Sequence, residues 1–143
     1  DALPIWGGGL VTGRAKAIVD RHRARLVARE RTFAAANAAR NRDVTQAYAQ
    51  GATSTPRASD DVFEAARAWR REARAAYGDV AALGPAAFQR AEALRAYASL
   101  DAAIGHLLKA LAARSDIASQ YDQAARQLAD FKKRYDKLGR QLG

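Results

Sequence analysis

The sequence predicts an all-α protein, an antiparallel helical bundle of three to four helices with an irregular N-terminal tail, and three observations carry that prediction. Ala and Arg dominate the composition and β-branched residues are few, and Ala, Leu, Arg, Gln and Glu lose least on entering a helix. Only three prolines interrupt 143 residues. Apolar residues in the last two thirds recur at alternating steps of three and four, the period of a helix that buries one face. A chain of this length normally forms one domain and buries a core without disulfides or metals.

Residues 1–13, DALPIWGGGLVTG, read as an irregular apolar tail, because Pro4 and the Gly7-Gly8-Gly9 run oppose regular structure. Ile5 and Trp6 are costly to leave in water, so they either fold back onto the bundle or serve as a peg for another subunit or a membrane surface. The remainder, 14–143, reads as a single bundle domain. Its first helix, 14–50, is long and basic with a poor stripe: Ile18, His22, Leu26, Arg29, Phe33, Ala36, Arg40, Val44 and Tyr48 include three residues that are not apolar. It is expected on the rim of the bundle or projecting from it, as the weakest-packed element.

Gly51 to Ser59, containing Thr53-Ser54-Thr55-Pro56, is the clearest loop and the best candidate hinge. A helix over 59–78 follows, with Ser59 as N-cap and Asp60 and Asp61 in the first turn, where exposed amides favour negative charge. Its stripe is Val62, Ala66, Trp69, Ala73 and Tyr77, and Gly78 is expected to end it or to loosen its last turns. A third helix over 85–113 starts with Pro85 at its first position and buries Tyr97, Leu100, Ile104, Leu107 and Leu111. The fourth, 115–142, has the strongest period: Ile117, Tyr121, Ala124, Leu128, Phe131, Tyr135, Leu138 and Leu142. The phase slips between Leu111 and Ile117, where Ser115 can cap a new helix with Asp116 in its first turn. That reading gives a turn and an antiparallel pair; the competing one is a single unbroken helix through Asp116.

The formal net charge of +9 is concentrated. Between Arg14 and Arg42 nine basic residues (Arg14, Lys16, Arg21, Arg23, Arg25, Arg29, Arg31, Arg40, Arg42) face two acidic ones (Asp20, Glu30), which puts +7 there and leaves +2 for the rest. Local charge of this kind attracts phosphates or acidic partners. The apolar run Ala2 to Gly13 falls far short of the roughly 20 residues a membrane-spanning helix needs. The sequence opens on Asp1 rather than Met, as expected of a processed product or a trimmed piece.

Site chemistry is sparse. The absence of Cys removes thiolate metal sites and cysteine nucleophiles, and two His cannot alone build a three-ligand site. Gly7-Gly8-Gly9 lacks the Lys-Ser/Thr of a phosphate-binding loop. His106 lies off the main stripe and reads as a partly exposed surface residue, and His22 sits among arginines with no partner visible in the sequence. Capping explains Asp60 and Asp61 beside Glu64 more simply than an acid-base cluster does. Trp69, Tyr77, Tyr97, Tyr121, Phe131 and Tyr135 fall on apolar stripes, and core packing accounts for them without a cofactor. No catalytic, cofactor-binding or metal-binding residue is therefore expected.

Part of the chain resembles the LemA family. Leu100-Asp101-Ala102-Ala103-Ile104-Gly105-His106-Leu107-Leu108 looks like that family's run of Leu, two Ala, an aliphatic residue, Gly, a basic residue and two aliphatics. Ser115-Asp116-Ile117 falls where the family has Pro-Asp-Leu, and Glu72-Ala73-Arg74-Ala75 is similar to its acidic-Ala-Arg-Ala segment. The resemblance covers roughly residues 72 to 125. The first half departs from the family, lacking its paired Arg followed by Leu-Ile-Pro-Asn-Leu and its membrane-spanning helix. What the resemblance implies is an elongated, extracytoplasmic, membrane-associated helical bundle without an established activity, and it supplies no functional residues.

Two functions are expected to compete. The first is a non-enzymatic scaffold or interaction subunit of a larger, membrane- or envelope-associated assembly, with other protein subunits or an anionic membrane surface as partners. The second is nucleic-acid binding through residues 14–42. Against the second stand the lack of a recognised binding motif and the presence of Phe33 as the segment's sole aromatic for base stacking.

Overall fold

The computed structural model describes residues 4–113 and 117–143, with side chains described from residue 14 onward. Four helices account for it: α1 (Pro4–Ala49), α2 (Asp60–Ala81), α3 (Arg90–Ala112) and α4 (Ile117–Leu142). Residue pairs that meet across neighbouring helices run in opposite senses, as in Phe33 with Trp69, Tyr97 with Tyr135 and His106 with Gln120. The chain therefore goes up, down, up and down, each helix lying against the next, with α1 meeting α4 over a smaller area.

The helix boundaries differ from the expected ones for local reasons. The backbone of residues 4–13 is helical where the sequence predicts an irregular tail. Pro4 suits a first helical position, since it needs no hydrogen bond for the amide it lacks. At the other end α1 stops where expected. Gly51 adopts φ +97°, the amide of Gly51 donates to the carbonyl of Tyr48 (3.0 Å), and that of Ala52 donates to Ala47 (2.9 Å). These paired bonds close off the last carbonyls, and only glycine takes that backbone without strain.

Helix α2 runs through Gly78 to Ala81 instead of ending at it. Val80 is fully buried and Asp79 reaches α1, so tertiary contact outweighs the cost of about 1 kcal/mol that a mid-helix glycine carries. Ser59 occupies the N-cap position with extended backbone, but its side chain makes no capping bond. Pro85 does not begin α3, which starts five residues later at Arg90 after Gln89 in the left-handed region (φ 61°). The Arg90 side chain turns back to donate to the carbonyls of Ala81 (3.0 Å) and Leu83 (3.1 Å). It thereby satisfies the last carbonyl of α2 and one in the turn just beyond it. The expected cap at Ser115 and Asp116 lies outside the described residues.

One core joins all four helices. Val19 and Leu26 from α1, Val62, Trp69 and Val80 from α2, Tyr97, Leu100 and Ile104 from α3, and Phe131 and Leu138 from α4 are all buried in it. The aromatic positions read from the stripes hold at Trp69, Tyr97, Phe131 and Tyr135, whereas Tyr77 is exposed and Tyr121 only partly buried. Tyr77 stands one turn beyond Ala73, where the stripe drifts and Ala76 and Val80 take the inward positions.

Candidate functional site

The largest departure from the sequence reading is His22. Ile18, His22 and Leu26 share the buried face of α1, and His22 is 2% exposed. Its Nδ1 lies 2.6 Å from Glu72 Oε2 and its Nε2 lies 2.7 Å from Asp79 Oδ2. Glu72 and Asp79 are two turns apart on α2, so both reach the same neighbour. Arg21 donates to the same Asp79 oxygen from outside (2.8 Å). Each ring nitrogen thus lies within hydrogen-bond distance of a carboxylate oxygen on α2. The hydrogen bond from His22, aided by that from Arg21, holds the Asp79 carboxyl below its ordinary value against the opposing effect of burial.

This arrangement bears on chemistry. Both ring nitrogens face carboxylates and the ring is shielded from solvent. The two carboxylates lie at opposite edges of the ring, so the three groups do not converge on one ion. Among the described residues no group of three or more His, Asp or Glu side chains is placed to hold a metal. The partner that the sequence does not show for His22 lies 50 and 57 residues away. A usable signal did exist: a histidine on an apolar stripe of one helix, and two carboxylates seven apart flanking the stripe of the next.

The basic cluster does not form one surface. Successive helical residues are displaced by about 100°, so the nine side chains point several ways. Lys16 pairs with Asp20 within α1 (2.6 Å), Arg21 with Asp79 on α2, and Arg23 lies over the Tyr135 ring of α4, 4.6 Å from its centre. Arg14 sits beside Leu83 and Gly84 at the end of α2. Arg40 is half-buried near the Gly51 to Ser59 loop. Arg25, Arg29, Arg31 and Arg42 are exposed, and none is in an ion pair among the described residues. Ile5 and Trp6 fall within the helical backbone of α1, and their side chains lie outside those described.

Polar networks also tie the other helix pairs. Asp101 of α3 accepts from Arg70 (2.8 Å) and Arg74 (2.7 Å) of α2. Partial burial raises its carboxyl, and the hydrogen bonds from both arginines outweigh that and hold it below its ordinary value. Gly105 makes room for this: a Cβ there would lie 2.9 Å from the Arg70 guanidinium. Between α3 and α4, Asp130 accepts from Ser99 (2.6 Å) and Arg134 (2.8 Å), which lower its carboxyl in turn. His106, partly exposed as expected, faces Gln120 Oε1 at 3.0 Å. Asp60 and Asp61 occupy the first turn of α2, and Glu64 pairs with Arg71 (3.0 Å).

The fold and these networks define an antiparallel four-helix bundle with ion-paired helix junctions. Comparison with known proteins adds nothing to that class, because no family model, curated protein or solved structure matches the chain. Among the described residues no helix is long and apolar enough to cross a membrane.

Proposed function

We propose that the protein is a non-enzymatic helical scaffold, an interaction subunit of a larger assembly at an extracytoplasmic membrane surface. The observation that carries this reading is how the charge on α1 is divided. Lys16, Arg21 and Arg23 are used within the chain, whereas Arg25, Arg29, Arg31 and Arg42 stand exposed without partners among the described residues. Such side chains suit the acidic surface of a neighbouring subunit or the anionic headgroups of a membrane. The LemA-like segment supports the extracytoplasmic setting.

Nucleic-acid binding is the reading to test against it, because phosphate neutralisation would use the same arginines. Splayed over several faces of one helix, they offer charge without a groove-reading element or a stacking platform. Binding to duplex DNA is therefore expected near the non-specific level, about 0.1 mM or weaker at physiological salt. Fluorescence anisotropy across a salt series measures it directly. Submicromolar, sequence-dependent binding at physiological salt, with a salt slope flattened by Arg21→Gln, Arg25→Gln and Arg29→Gln, would replace the scaffold reading with the nucleic-acid one.

A further inference from the structure

The end of the bundle that carries the Gly51 to Ser59 loop holds a cleft of about 400 Å³. Three kinds of wall enclose it. Arg40 comes from α1, Ser54, Thr55 and Arg57 come from the loop, and Phe63 of α2 with Leu111 of α3 supply an apolar side. Among the described residues no carboxylate lines it, and none of the ion pairs includes Arg40 or Arg57. Asp43 and Asp61 line an adjoining cleft of about 420 Å³ that shares Arg40, Pro56 and Arg57 with this one, although neither aspartate forms an ion pair with the two arginines.

The Arg40 Nε is buried and has no hydrogen-bond partner. The neighbouring Asn37 Oδ1 is likewise buried without a partner, and because a guanidinium cannot shed its charge, an anion in the cleft that Arg40 lines would offset it. Thr55 is already oriented by its hydrogen bond with the Tyr48 hydroxyl (2.7 Å), and it keeps capacity for another. Two guanidinium groups and two hydroxyls offer more donors than a carboxylate head can accept in comfort, while a phosphate monoester presents three terminal oxygens. The Phe63 and Leu111 wall gives that head an apolar body to accompany.

We propose that this cleft binds a small organic phosphate, its head held by Arg40 and Arg57 with Ser54 and Thr55, and its apolar body lying against Phe63 and Leu111. The ligand is either a free phosphate monoester or the exposed headgroup of an anionic lipid, which present the same chemistry.

Octyl phosphate is the probe, titrated into the isotopically labelled full chain while backbone amide resonances are followed. Saturable shifts are expected at Ser54, Thr55, Arg57 and Ala112, with inorganic phosphate binding more weakly and octyl glucoside not at all. Arg40→Gln and Arg57→Gln should each weaken octyl phosphate by about tenfold, the loss of one charge-assisted contact. Phe63→Ser should weaken octyl phosphate and leave inorganic phosphate unchanged. Phosphatidylcholine vesicles carrying phosphatidic acid separate the sources: arginine-dependent vesicle binding identifies a headgroup, and octyl phosphate binding without it identifies a free ligand. Shifts scattered over the bundle, equal binding of octyl glucoside, or affinity unchanged in both arginine variants would overturn the proposal. The map on the parent chain stands even if a variant fails to fold.

Discussion

Removing the imidazole of His22 would leave Glu72 with a carboxylate that is 12% exposed and lacks its donor. A buried charge that loses its partner typically costs 3 to 5 kcal/mol, so His22→Ala is expected to destabilise the fold by about 3 kcal/mol in urea melts followed by circular dichroism. Replacing both partners with apolar residues, His22→Leu with Glu72→Leu, should recover much of that loss, because the cost lies in the orphaned charge and not in the missing pair. A His22→Ala variant melting like the parent would mean that water reaches Glu72 and the clasp is not closed. The sequence shows His22 only as a flaw in an apolar stripe. Its partners are set by the pairing of α1 with α2, and no local pattern around residue 22 records that pairing. Arg90 presents the same difficulty, since its role at the end of α2 depends on a turn whose geometry at Gln89 no propensity predicts. Gly51 is the opposite case: a glycine after a helical run signals its own backbone, and the helix ends there.

At the scale of elements, the existence and order of the helices were legible and their ends less so. The stripes of α3 and α4 repeat in steps of three and four, and they bury Tyr97, Leu100, Ile104, Phe131 and Leu138 as that period requires. The boundaries that moved are those where a distant contact overrules a local breaker, as at Gly78, or where a turn consumes residues that a helix could have used, as after Pro85. Depth within the stripe was also not legible: Leu138 is 1% exposed while Leu107 is only partly buried. Leu138→Ala should therefore cost about 2 to 5 kcal/mol and Leu107→Ala clearly less, and thermal melts that rank them the other way would refute this view of the core. Within α1 the buried residues from Ala15 to Phe33 give way to a stretch, Thr45 to Ala49, with none. Amide exchange should reach that later stretch first and the region from Tyr97 to Ile104 last, since protection follows packing. Uniform protection along α1 would show that its far end is held by contacts other than these.

Seen as a whole, the bundle has one lowered carboxylate at each successive helix junction: Asp79 joins α2 to α1, Asp101 joins α3 to α2, and Asp130 joins α4 to α3. All three are held below the ordinary value of 3.8, by the hydrogen bond from His22 at Asp79, by those of Arg70 and Arg74 over the opposing effect of burial at Asp101, and by Ser99 at Asp130. The sign of the effect on stability follows. A group whose folded value lies below its unfolded one binds fewer protons when folded, so its contribution is fully present above the unfolded value and is lost as pH falls through the folded one. Stability linked to these three groups should thus be unchanged through the neutral range and fall away below about pH 4. Protonation also adds to a chain already at +9, and general repulsion pushes in the same direction. Two controls separate the causes. Added salt screens diffuse repulsion between exposed charges and restores stability that was lost that way. The combined variant Asp79→Asn, Asp101→Asn and Asp130→Asn should be less stable than the parent at neutral pH and converge with it in acid, because the parent's aspartates are by then protonated too. Melting temperatures measured across the acid range decide the matter: a constant gap between parent and variant at every pH would show that these aspartates act through packing and not through their charge.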